Sequence, residues 1–181
     1  MAALVLAPAR RGNFGAPMST RRRSYESGHK PKCLVVIDDS PECDRSVYYA
    51  ARWAKRANGA VVMLRVIETE QRNQEWRGVA DIMRAEAHDE ANAALDQASG
   101  RANGLAGITP ERVIREGTPA EQILDVIDKD VDISMPVLAA SPGAEGPGPI
   151  VTATAKTAGA FPIPVVVVPG TLTDEDIDGL S

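Results

Sequence analysis

Chemistry in this chain concentrates where glycines and hydroxyls fall close together. Between Met135 and Gly170 the sequence reads MPVLAASPGAEGPGPIVTATAKTAGAFPIPVVVVPG, with Ser141, Gly143, Gly146 and Gly148 ahead of Thr152 and Thr154. A glycine-rich turn feeding a helix N-terminus can bind phosphate, because free N–H groups and the helix dipole both attract an anion. The same residues also suit a plain crossover turn, and glycine spacing alone does not separate the two readings. A second candidate is the acidic pair Asp38-Asp39, which closes the apolar run Cys33–Ile37. Such a pair can hold magnesium, or a carboxylate there can satisfy N–H groups at a helix start. Other chemistry has little to work with. The only histidines are His29 and His88, and neither stands near Cys33 or Cys43 at metal-ligand spacing, so no metal site is expected and both cysteines read as buried thiols. No residue offers itself as a catalytic base, and the chain reads as non-enzymatic.

The 181 residues suffice for one domain with tails. Aromatics make up 4% of the chain, which argues against stacking on nucleic-acid bases. The net charge of -5 hides an asymmetry: residues 1–30 carry six basic residues and one acidic, and residues 171–181 four acidic and none basic. An acidic body is a poor partner for a phosphate backbone, so no nucleic acid is expected. Ala2–Ala9 is too short to span a membrane and lacks a basic leader, so no membrane association is expected either. Residues 1–30 read as a disordered tail with its basic run at Arg21-Arg22-Arg23, and Met18 as an alternative start that would leave residues 1–17 outside the protein. Residues 171–181 read as a solvated acidic tail.

The elements that would position these residues follow in order. Cys33–Ile37 is a strand, Ser40 and Pro41 open a helix as N-cap and first residue, and Asn58-Gly59 closes it. Ala60–Ile67 is a second strand. A helix over 76–98 presents Trp76, Val79, Met83, Ala87, Ala91, Leu95 and Ala98 on one stripe. Glu111–Glu116 is a third strand, and Thr118, Pro119 and Glu121 open the next helix as a capping box. A fourth strand leads to Ala140, with regular pairing expected only from Pro136 onward, since proline donates nothing to a ladder. A helix over 151–159 and the valine run Pro164–Val168 complete the pattern. Five strands alternating with four helices predict a doubly wound α/β fold with a parallel sheet, whose ligand sits at the carboxyl ends of the strands.

Residues 32–169 resemble the universal stress protein family. Val36-Ile37-Asp38-Asp39-Ser40 is similar to its first strand and acidic turn, ordinarily aspartate, glycine, serine. Gly117-Thr118-Pro119-Ala120-Glu121-Gln122-Ile123 matches its third-strand exit, and Ile163–Val168 its last strand. The resemblance implies an adenine nucleotide α-hydrolase-like sheet in the order 3-2-1-4-5, a domain over 31–170 and a cytoplasmic stress-response role. It also implies a possible ATP site with magnesium. Nucleotide-binding members carry a glycine, two residues, a glycine, nine residues, then glycine and a hydroxyl residue. Here that spacing falls on Ala140, Gly143, Ala153 and Thr154, so both outer glycines are alanines, and a shifted register would place Val151-Thr152 last. Carried over, Asp38 would meet the ribose or magnesium, Val66 the adenine through its backbone, and Ser141, Gly143, Gly146, Thr152 and Thr154 the phosphates. Two other classes compete. A receiver-like phosphotransfer domain would use the Asp38-Asp39 pair but finds Glu116-Gly117 and Pro169-Gly170 where it needs an aspartate and a lysine; a slow ATPase of the same fold is the other. An apolar edge strand invites pairing, and a homodimer through Pro164, Val165, Val166, Val167 and Val168 is expected, as the family resemblance also implies.

Overall fold

Aliphatic and β-branched runs become strands in this chain, and the central ones are covered on both faces. The computed structural model describes residues 21–68 and 77–180. Among them are the strands β1 (Lys32–Val36), β2 (Ala60–Ile67), β3 (Glu111–Glu116), β4 (Ile133–Ala140) and β5 (Val166–Pro169). Between them run the helices α1 (Cys43–Ala57), α2 (Arg77–Ala106), α3 (Pro119–Lys129) and α4 (Pro149–Lys156), and α5 (Asp174–Leu180) follows the last strand. The sheet is parallel throughout in the order β3-β2-β1-β4-β5, as expected. A receiver domain has the order 2-1-3-4-5, so the topology removes that reading.

Alternate side chains build two cores, as the two-residue strand period requires. Cys33, Val35, Val61 and Met63 pack with Val47, Ala51, Leu95 and Ala102 of α1 and α2. Leu34, Val36, Val62 and Leu64 pack with Ile123, Ile127 and Val151 of α3 and α4. Both cysteines are free and buried.

Several elements depart from the sequence expectation. β4 runs through Pro136, which pairs with Leu34 of β1. Pairing to β5 begins only at Val137, so the proline stands where β4 has a single neighbour. α1 begins at Cys43 rather than Pro41, because the Ser40 hydroxyl turns back to Asp38 instead of capping the helix. α2 runs on to Ala106. Its buried stripe is Ala91, Leu95, Ala98 and Ala102, while Met83, expected on that stripe, is exposed. Trp76 and residues 1–20, with the alternative start at Met18, lie outside the described residues. β5 begins at Val166, so Pro164 and Val165 of the expected edge strand precede it.

The tail readings change most. Within residues 21–30, read as disordered, Arg22 donates to the carbonyls of Ile127 and Asp130 at the end of α3. The Arg23 N–H bonds Val131 O at 3.0 Å, and His29 Nδ1 meets Asp132 Oδ1 at 2.6 Å. The acidic C-terminal segment, read as solvated, is α5. Its Ile177 is 0% exposed among the α1 core residues. Arg45 pairs with Asp174 at 2.6 Å, Arg52 with Asp178 at 2.6 Å, and Tyr48 Oη donates to Asp178 at 3.2 Å. Two of the four acids, Asp174 and Asp178, find their cations on α1, while Asp176 accepts from Thr173 at the start of α5.

Candidate functional site

The order of strands reverses between β1 and β4, and the loops leaving their carboxyl ends face one another there. A cleft of about 880 Å³ opens at this edge, lined by Ser141, Gly146, Gly148, Thr152 and Lys156 on one wall and by Thr118, Glu121 and Glu42 on the other. Three separate connections and the helices they lead into supply these residues. α4 starts at Pro149, whose missing N–H costs nothing in the first turn. Gly148, its N-cap, has φ 93°, and Gly146 has φ 106°. Both angles lie in the region that favours glycine, so the conformational demand of this loop falls here.

Gly143 plays a different part from the one expected. It is exposed at the loop tip, its N–H reaches Ser141 Oγ at 3.4 Å, and a Cβ there would meet that oxygen at an ordinary 3.5 Å. It does not line the cleft. Thr154 is likewise displaced: starting α4 at Pro149 turns it inward with Val151, where it is 2% exposed. Its Oγ1 has no hydrogen-bond partner among the described residues. The shifted register is the one that places a hydroxyl in the cleft, through Thr152.

Asp38 and Val66 line two other cavities. Asp38 Oδ1 accepts from the Ser40 N–H at 3.0 Å and the Ser40 hydroxyl at 2.6 Å, the local use of a carboxylate that competes with ligand binding. It borders a cavity of about 500 Å³ between α1 and α2, with Cys43, Asp44, Gln97 and Arg101. Burial pushes the Cys43 thiol up to about 11, so it is protonated and a poor nucleophile at neutral pH. At Asp44, burial alone would raise the carboxyl, but hydrogen bonds from Arg101 (2.9 Å) and Arg45 outweigh it and hold it below the usual range. Val66 borders a cavity of about 230 Å³ with Asp39, Arg65, Glu68 and Glu90.

Sequence reasoning passed over Glu42, Glu121, Glu145, Lys156 and Arg65. Arg65 did leave a signal, as the one charged residue inside the strand run AVVMLRVI. The expected capping box at α3 is also rearranged. The Thr118 hydroxyl donates to the Glu121 carboxylate rather than accepting from a backbone N–H at the helix start. Gly170 was read as a strand stop only. A Cβ on it would lie 2.9 Å from Ala140 O and 2.9 Å from the Glu42 Cβ, so its bareness lets the exit of β5 pack against both loops at this edge.

A doubly wound sheet in this order, with its cleft at the switch point and a glycine-rich loop entering a helix, defines a doubly wound α/β protein whose candidate ligand site lies at the carboxyl ends of its strands. The sequence model of the universal stress protein family matches residues 31–169, and the chain belongs to that family. Its fold is similar to the universal stress protein UspA from Lactobacillus plantarum, at 19% identity and TM-score 0.67, covering 76% of this chain and 97% of that one. It is similar too to the Archaeoglobus fulgidus universal stress protein in complex with dAMP, at 18% identity and TM-score 0.56, covering 76% and 97%. A universal stress protein in complex with cAMP matches at 19% identity and TM-score 0.58, covering 76% and 96%. No curated protein matches the chain in sequence. No described helix is long and apolar enough to cross a membrane, and the described residues hold no cluster of three or more metal-ligating side chains.

Proposed function

We propose that this chain is a non-enzymatic universal stress protein that responds to a nucleotide, holding its phosphate at the start of α4. The observation that carries this reading is the convergence of Ser141, Thr152, Lys156 and two glycines of positive φ on one cleft at the switch point. The nucleotide complexes of two relatives support it. ATP suits the cleft less well than a monophosphate. Glu42, Glu121 and Glu145 line it against Lys156 as the one cation among its described lining residues, and uncompensated carboxylates oppose a triphosphate. Magnesium would offset that repulsion, so ATP with Mg²⁺ is the second candidate.

Calorimetric titration of AMP, GMP and ATP, each with and without magnesium, tests the reading. A monophosphate should bind without metal, ATP only with it, and Lys156→Ala should weaken both by about tenfold, the size of one charge-assisted contact. Failure of every nucleotide to bind folded protein would remove the reading.

The partner in this proposal is a second copy. β5 is an edge strand, and an unpaired apolar edge invites association. Val167 is 43% exposed, while Val166 packs against the α1 core. Val167→Lys is therefore the informative change: it should yield monomer in sedimentation analysis, whereas Val166→Lys would also disturb the fold.

A further inference from the structure

The basic run Arg21-Arg22-Arg23 leads straight into a serine whose hydroxyl has nothing to bond. Ser24 is 4% exposed, and its Oγ has no hydrogen-bond partner among the described residues. Buried hydroxyls are ordinarily paired, and each exception needs a reason. This one lies in a strap, residues 21–30, laid over the connection from α3 to β4 at the opposite end of the strands from the cleft. The Arg22 guanidinium caps α3 by donating to the carbonyls of Ile127 and Asp130. The Arg23 N–H bonds Val131 O at 3.0 Å, and a turn with Ser24 and Tyr25 at its corners closes from the Glu26 N–H to Arg23 O at 2.8 Å. His29 Nδ1 fastens the far end to Asp132 Oδ1 at 2.6 Å. The ground under the strap is acidic. Asp128, Asp130 and Asp132 lie there, met by Arg22 at 3.9 Å, Lys32 at 2.7 Å and His29, while Glu26 of the strap itself holds Arg21 and Arg23. The C-terminal end of α3 adds the negative end of its dipole.

We propose that Ser24 is a phosphorylation site, modified by a serine kinase whose substrate groove is acidic, and that the phosphate keeps the strap off α3. Three guanidiniums directly before the hydroxyl give such a groove its complementary charge. The acceptor is reached when the strap lifts. Residues 21–30 contain no helix or strand, and among the described residues one backbone bond, from Arg23 to Val131, ties them to the domain; segments held in this way open locally at low cost. In the transfer, Ser24 Oγ bonds the γ-phosphorus of ATP, the bond from that phosphorus to its bridging oxygen breaks, ADP leaves, and the hydroxyl proton passes to the base of the kinase. The product carries close to two negative charges, and a phosphate beside a helix C-terminus and aspartates is repelled and stripped of water. The modified strap therefore does not close again, and α3 loses its arginine cap. The unpaired hydroxyl holds the closed state loosely enough for this exchange, since no bond at Ser24 has to be broken first.

Incubating the full chain with magnesium, ATP and cAMP-dependent protein kinase, a probe that takes serines preceded by arginines, tests this, read by fragment mass and amide hydrogen exchange. Phosphate should appear on Ser24, and the amides of Arg23 and His29 should lose their protection while those of β1 and β4 keep theirs. Ser24→Glu should show the same loss without kinase, and Ser24→Ala should take no phosphate there and stay closed. Asp132→Ala lies outside the stretch that the kinase reads and unfastens the strap, so it should speed modification about fivefold, the size of one lost hydrogen bond. No phosphate on Ser24, a rate unmoved by Asp132→Ala, or a phosphorylated strap that keeps its amide protection overturns the proposal. So does a loss of protection that spreads to β1 and β4, which would make the modification an unfolding event instead of a latch.

Discussion

The two sides of the sheet are covered very differently. On one side lie α1, the 30-residue α2 and α5, tied together by Arg101–Asp44, Arg45–Asp174 and Arg52–Asp178 pairs. On the other lie only α3 and the 8-residue α4, which ends in a short 3-10 turn over 158–160. The first side carries Leu95 and Ala102 at 0% exposure under continuous helix; the second holds a buried threonine hydroxyl with no described partner and opens into the large cleft. Cohesion is concentrated on one face, and the face that presents the glycine loop is thin.

That contrast can be broken by substitution. Leu95→Ala should cost about 2–5 kcal/mol, as truncation of a fully buried leucine does; Val151→Ala on α4 should cost only about 1–2 kcal/mol. Chemical denaturation of both variants measures the difference, and equal losses would contradict the asymmetry. Thr154→Val preserves shape and removes the unpartnered hydroxyl, so it should raise stability by about 1 kcal/mol, read as a higher denaturation midpoint. The smallest effect belongs to Asp44. Its folded carboxyl titrates below the usual 3.8, so its stabilisation is present above the unfolded value and is lost as pH falls through the folded one. Melting curves of Asp44→Asn should lie slightly below those of the parent near neutral pH and converge with them as the pH falls below about 3.8.

Much of the architecture could be read from the chain because burial on both faces leaves continuous apolar runs. Ala60–Ile67, buried over 61–64, has the bounds that the sequence predicts; so does the edge strand Glu111–Glu116, although none of its residues is buried. The site was less legible for a physical reason: its lining comes from three connections that only topology brings together. Glu42, Glu121 and Lys156 are ordinary helix-end charges until the sheet order places them across one cleft. The hydroxyls show the same limit. Thr152 and Thr154 are two residues apart, and which of them faces the cleft depends on α4 beginning at Pro149, three residues before the first of them. Asp174, Glu175, Asp176 and Asp178 look like a solvated run because the cations that pair with Asp174 and Asp178, Arg45 and Arg52, lie far earlier in sequence, on α1.

The placement of α5 bears on where this domain should be cut. The family match ends at residue 169, and a fragment trimmed there would lose Ile177 from the interior of the α1 face. It would also take Asp174 from Arg45 and Asp178 from Arg52, leaving the α1 surface more basic and partly greasy. Such a fragment would be expected to stick to acidic surfaces and to come out of solution sooner than the whole chain. The stretch that the family model matches is thus shorter than the unit that packs together in this chain.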